Sequence, residues 1–275
     1  METQALKAVA IIERRRTYCS GEVDLIQSFL LKIRRGETPF FRVLRNIAIF
    51  FRATTLPLPR FLNPLLRGGF YVHHSAMKSC RWLFTYFYRE PLFRGRCASV
   101  GKRFHLGRMP FIIGHAEIQI GDDVNFFGLV DVFSGRIFDR PILAIGNRVD
   151  VGHAVTFVVN KEIVIEDDVN IASGVRFMDT DAHPRDTAER IADLPPRPEE
   201  VKPVRICRYA WIGQNSFILK GVTVGEGAII GVNSVVVSDV PAYSVVMGNP
   251  ARVVIKNTQK QPDPQPNRVE ERTGA

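Results

Sequence analysis

The sequence predicts an all-β fold, a parallel β-helix assembled from six-residue turns and preceded by a basic, partly helical extension. Three observations predict it. Every sixth residue from Ile206 is a β-branched aliphatic: Ile206, Ile212, Ile218, Val224, Ile230 and Val236. Four places after each stands a small or apolar residue: Ala210, Ser216, Val222, Ala228, Ser234 and Val240. The period stops at one long polar insert and is absent from the first 100 residues, where arginines and aromatics alternate instead.

A period of six fits neither an α-helix nor a two-residue strand alternation. It fits short strands joined by tight corners, three hexads to a coil, with the aliphatic residue pointing into a three-sided prism and the small one leaving it room. The period returns upstream as Ile145, Val151 and Phe157, then after a slip of two as Ile165, Ile171 and Phe177. An earlier piece is Gly114, Ile120 and Phe126, with Ile118 and Val124 as companions. Gly121, Gly146, Gly152, Gly213, Gly225 and Gly231 each follow an aliphatic position and are expected, with nearby Asp and Asn, to supply the positive φ of the corners.

Between Phe177 and Ile206 the segment MDTDAHPRDTAERIADLPPRPEEVKPVR is polar and holds five prolines. It cannot form a coil, so it should project from the prism, and long loops on regular scaffolds are usually functional. Residues 101–256 are therefore read as the repeat domain, with 178–205 as its functional loop. Residues 257–275, Pro- and Gln-rich, read as a disordered tail.

Residues 1–100 form the extension. The net charge of +9 is divided: residues 1–110 hold 20 Lys and Arg against 6 Asp and Glu, whereas 111–275 hold 17 against 22. In FFRVLRNIAIFFR (40–52) a helix would gather Arg42, Arg45, Asn46 and Arg52 on one side and aromatics and aliphatics on the other. Such a helix suits an anionic membrane face, or packs on the prism or on a neighbouring subunit. RWLFTYFYREPLFR (81–94) has similar character.

With 45% hydrophobic and 24% charged residues the chain is expected to be globular. No uncharged apolar run approaches a bilayer span, and residues 1–16 lack a secretory signal core. Four scattered cysteines (Cys19, Cys80, Cys97, Cys207) without a CxxC pair argue for a reducing compartment. A cytoplasmic protein, peripheral on the inner face of the membrane, is the resulting expectation. Nucleic acid is not expected as a partner, because the basic half carries no recognised motif.

The string PVRICRYAWIGQNSFILKGVTVGEGAIIGVNSVVVSDVPAYSVVMGNPARVV (203–254) resembles the hexapeptide-repeat acyltransferases, and WIGQNSFILKGVTVG and GNPARVV look like the galactoside, maltose and nodulation-type sugar O-acetyltransferases and their polysaccharide-biosynthesis relatives. The resemblance covers about residues 104–256. It implies a left-handed β-helix, a homotrimer with active sites between neighbouring prisms, and acetyl-CoA as acyl donor without a metal.

The resemblance also implies the site. In Asp179-Thr180-Asp181-Ala182-His183-Pro184 the histidine stands where the family's catalytic histidine precedes a proline. A sugar hydroxyl is a poor nucleophile until its proton leaves, and neutral imidazole suits that task near pH 7. His183 is thus the expected general base, with Asp179 or Asp181 orienting it. Carried over by position, contacts to the acyl-CoA fall at Trp211, Gln214, Val232, Ser238 and Arg252. Arg252 is the most physical, as a guanidinium can hold phosphate bidentately. Asp239 stands where the family often has lysine. Gly152 and Asn160 replace the Asn and Asp that hold galactosides, so that acceptor is not expected. A three-histidine zinc site, found in carbonic anhydrases with this prism, is excluded by the spacing of the six histidines. The expected activity is O-acetyl transfer to a sugar of a polysaccharide or lipid-linked glycan; N-acetyl transfer to an amino sugar and a non-catalytic trimerisation scaffold are the alternatives.

Overall fold

The computed structural model describes residues 21–55 and 59–256, so the expected tail at 257–275, the first 20 residues and Cys19 lie outside it. The chain divides into two compact units after His73.

The first unit is helical. Helix α1 (Gly21–Arg35) is followed by α2 (Pro39–Ala53), which is the amphipathic helix expected from FFRVLRNIAIFFR. Thr38 caps α2 by accepting a bond from Phe41 N at 3.3 Å, and Pro39 fits the first turn, where no N–H is needed. Gly36 ends α1 at φ 65°, a conformation costly for other residues, and a side chain there would meet the Arg45 guanidinium. Phe41 meets Phe29 of α1 edge to face at 5.5 Å. Helix α3 (Asn63–Phe84) contains the division between the units.

In the second unit a π-helical turn, Thr85–Arg89, continues α3 into α4 (Glu90–Arg96). Rings one turn apart stack across it, Trp82 on Tyr86 and Phe84 on Tyr88, with Arg89 over Phe84. The chain then winds into the prism. Strands Ser99–Val100, Glu117–Ile120, Ile142–Ile145, Glu162–Ile165, Val204–Ile206 and Thr223–Val224 form its first face. The second face runs from His105–Leu106 through Trp211–Ile212 to Ile229–Ile230, and the third from Phe111–Ile113 to Val235–Val236. Strands stack parallel and in register: Ile120, Ile145, Ile165, Ile206 and Val224 form one ladder. This is the left-handed parallel β-helix with an N-terminal helical region that the sequence predicts.

All twelve periodic positions from Ile206 to Val240 are buried. Phe157 and Phe177, at matching places on successive coils, stack at 5.1 Å with planes 7° apart. The slip of two falls between Phe157 and Ile163, where Val159 is an additional buried residue, and Ile163 and Ile165 then resume the usual inward pair. Gly114 departs from the expected frame: it is exposed at φ 98°, and Ala116, Ile118 and Ile120 take the inward places.

The corner glycines have a different reason from the expected one. None of Gly121, Gly146, Gly152, Gly213, Gly225 and Gly231 has positive φ. A Cβ on any of them would strike the coil above; on Gly152 it would lie 2.6 Å from Ser173 N. The left-handed residues stand two places later, at Asp123, Arg148, Ala154, Asn215, Gly227 and Asn233. Corners are further fixed by side chains of the next coil. Asp122 Oδ1 accepts from Lys102 N, Asn147 Oδ1 from Asp122 N, and Asp167 Oδ1 from Asn147 N, at 2.7–2.8 Å.

Both ends of the prism are closed. Phe93 of α4 is 1% exposed and stacks on Phe104 at 5.5 Å, covering the first coil, while Arg94 and Arg96 donate to the carbonyls of Val100, Gly101, Ala116 and Gly114. At the far end Ser244–Gly248 and Ala251–Lys256 form an antiparallel pair on the second face. The expected domain start at 101 falls just after the first strand.

Candidate active site

The corner between the third and first faces carries the inserted loop, residues 178–205. It leaves the strand Arg176–Met178 and returns at Val204–Ile206 without loss of register, since Ile165 still pairs with Ile206. Its two ends are tied, Lys202 N donating to Asp179 O at 3.0 Å. Within it α5 (Thr187–Ile191) is capped by Asp186, which accepts from Glu189 N at 3.0 Å. Arg190 donates to Pro184 O at 2.9 Å, and Arg197 pairs with Glu189 at 2.6 Å. These bonds make the loop a built structure.

Asp179 is wholly buried at the loop base. Its carboxylate accepts from Asn160 N (2.8 Å), Lys161 N (2.6 Å) and Glu162 N (3.0 Å), holding the corner of the coil before it. Burial pushes its pKa above the ordinary carboxylate range, and these backbone donors oppose the shift. Asp181 is exposed and pairs with Lys220 Nζ at 2.5 Å and with Arg185 Nε at 3.5 Å. In the single chain neither carboxylate bonds His183, so the expected orienting role is not what their oxygens do here: Asp179 faces backbone donors, and Asp181 a lysine of the next coil. His183 itself is exposed, flanked by Ala182 at φ 66° and by buried Pro184. The loop thus presents the imidazole outward from a fixed stem.

The expected acyl-CoA contacts lie elsewhere on the prism. Trp211 is 54% exposed on the second face. Gln214 and Val232 (64% exposed) occupy the corner between the second and third faces. Ser238 lies exposed at the His183 corner, on the last coil. Arg252 lies exposed in the closing strand, with Lys256 at its end. Asp239, in the place of a lysine, accepts from Thr223 N at 2.7 Å and serves as a corner cap. One chain therefore parts the expected residues between two corners and a face. His153 also has a structural task, its Nδ1 accepting from Leu129 N at 3.1 Å. Asn160 is buried, its amide oxygen against Gly135.

Among the described residues no three His, Cys, Asp or Glu side chains gather as a metal site. Burial pushes the Cys97 thiol up to about 11, against the pull of Arg96 and Arg94, which favours the protonated form near neutrality. Sequence reasoning missed Lys220. The repeat frame could have found it: Phe177 pairs with Ile218, which sets Asp179 beside Lys220 and brings a cation under the loop stem.

No protein-family model matches the chain. A protein of Saccharomyces cerevisiae named "Putative acetyltransferase" is 35% identical over 116 residues, 42% of this chain and 57% of that protein. One of the same name from Staphylococcus aureus is 42% identical over 64 residues, 23% of this chain and 32% of its own length. The chain thus spans little more than half the length of these relatives, or less. Among solved structures, a maltose O-acetyltransferase from Clostridium difficile is 25% identical with a TM-score of 0.43, covering 67% of this chain and 86% of that one. An N-acyltransferase from Bacillus cereus, solved with 3-hydroxybutyryl-CoA and dTDP, is 18% identical with a TM-score of 0.47, covering 62% and 89%. Both scores are low, and the functional reading rests on the residues. The similarity to hexapeptide-repeat acetyltransferases read from the sequence stands.

Proposed function

We propose that this protein transfers an acetyl group from acetyl-CoA to a hydroxyl of a sugar, within polysaccharide or lipid-linked glycan assembly at the cytoplasmic side of a membrane. One observation carries the reading: a tied loop at one prism corner holds up an exposed His183, with Pro184 and Asp179 buried beneath it. The similarity to acetyltransferases supports it.

His183 takes the proton of the acceptor hydroxyl as its oxygen attacks the thioester carbonyl. The tetrahedral intermediate collapses, the C–S bond breaks, and the imidazolium returns the proton to the departing thiolate. The products are the acetyl ester and free CoA. Asp181, held by Lys220, is the negative charge nearest in sequence to the imidazolium that forms.

The division of the site supports a homotrimer. His183 and Ser238 lie at one corner, Gln214 and Val232 at another, so a ligand touching both sets fits the groove between the His183 corner of one prism and the opposite corner of a neighbour. Exposed Arg252 and Lys256 offer cations to the phosphates of CoA, while Asp239 offers none.

The test is mass spectrometry of sugar and amino-sugar acceptors incubated with acetyl-CoA. Wild type should yield O-acetylated product and His183→Ala at least a hundredfold less. Equal turnover by both removes the assignment, and product on amino sugars alone replaces O- by N-transfer. Sedimentation velocity should give three chains per particle.

A further inference from the structure

We propose that helix α2 is an interfacial membrane anchor, lying flat on an anionic bilayer with Phe40, Val43, Ile47, Phe50 and Phe51 in the acyl boundary. The inference stands apart from the acetyl-transfer reading and rests on two observations.

The first is an apolar stripe that leaves five side chains largely exposed among the described residues of the helical unit. One flank of α2 is used: Phe41 packs on Phe29 of α1, and Leu44 and Arg45 are half-buried. The five stripe residues lie on the adjoining arc and are 47–75% exposed. Three phenylalanines, an isoleucine and a valine left in water form a patch at or above the roughly 300–600 Å² that an ordinary monomer exposes.

The second observation is charge. From Thr38 to Arg89 the chain holds eight Lys and Arg and not one Asp or Glu. On α2 itself, exposed Arg42 and Arg52 stand away from the stripe, on an arc that also carries exposed Ile49. Aromatic apolar face, arginine polar face and no acid form the chemical signature of an interfacial helix, whose cations meet lipid phosphates as its rings enter the acyl boundary. A second copy of this surface fits poorly. A second copy brings the same eight cations between Thr38 and Arg89 and no acid to meet them, whereas anionic lipid supplies the counter-charge. Fifteen residues reach about 22 Å, too short to span a bilayer, and among the described residues no helix is long and apolar enough to do so.

The experiment is co-sedimentation of the full chain with sucrose-loaded vesicles. One set is phosphatidylcholine alone, the other three parts phosphatidylcholine to one part phosphatidylglycerol. Binding to the anionic set should be at least about tenfold tighter and should weaken severalfold between about 0.05 and 0.5 M salt. Phe50→Ser/Phe51→Ser should lose about tenfold or more. Arg42→Gln and Arg52→Gln, both at exposed positions, should each lose about fivefold with helical circular dichroism intact. Acetyl transfer to a soluble acceptor should be unchanged in all of these, so failure here leaves the enzymatic reading standing. The proposal is overturned by equal binding to neutral vesicles, by no binding, or by a double serine variant that binds like wild type. It is equally overturned if that variant instead lowers the sedimenting mass, or if single-stranded RNA binds as tightly at the same salt.

Discussion

Replacing Asp179 with alanine should loosen the functional loop and the coil before it together. The carboxylate serves three backbone donors, of which Asn160 N is buried while Lys161 is exposed and Glu162 half-exposed. The Asn160 N–H loses its acceptor without access to water, at about 1–3 kcal/mol. Water can replace the acceptor for the other two, leaving roughly 0.5–1 kcal/mol each. Relief of the desolvated carboxylate offsets part of this, so the net is about 2–4 kcal/mol, or roughly 5–15 °C in a unit of this size. The burial-raised pKa makes the effect depend on pH. The folded state keeps the proton at pH values where the unfolded chain has released it, so stability falls as pH rises from the ordinary carboxylate range through the raised value. Asp179→Asn should abolish that component while costing stability itself, because its amide turns a donor toward a donor. The assay is thermal and urea unfolding of wild type and both variants from about pH 3.5 to pH 7. An alanine variant melting within a degree or two of wild type, yet with a displaced pH–rate profile, would show that Asp179 orients His183 and anchors nothing.

Three further perturbations follow from the same structure. Gly213→Ala puts a Cβ against Ile230 O and Val232 N, and should lower stability by about 1–3 kcal/mol in a urea titration. Phe157→Ala leaves Phe177 facing a void and should cost about 3–5 kcal/mol, read the same way; a loss under 1 kcal/mol would mean that the stack is replaceable. Lys220→Met leaves Asp181 only the Arg185 pair to hold it, and steady-state kinetics should show a several-fold fall in kcat with the melting temperature nearly kept, since the pair is partly exposed.

The prism was legible because burial repeats. A side chain at each inward position must be apolar, so Ile206 through Val236 announced themselves, and the insert after Phe177 appeared as the place where that demand lapses. What period alone cannot carry is which neighbour a polar group finds. Asp179 and Asp181 are two residues apart, yet one is buried against backbone and the other is exposed beside a lysine, a difference made by the coils above and below. The corner glycines show the same limit: their type was visible, but the stacked backbone that excludes a Cβ exists only once coils are laid on each other. The Phe93 plug went unread because a single capping ring has no repeat to betray it.

Three side chains fixing the first corner lean one way: Asp122 reaches down to Lys102, Asn147 to Asp122, and Asp167 to Asn147. Each storey is bolted by the storey built after it. A chain growing from its amino end would carry its newest layer unfastened until the following one arrives, and a truncation would undo the bolts of the layer left on top. Lengthening or shortening such a tower should succeed only in whole layers.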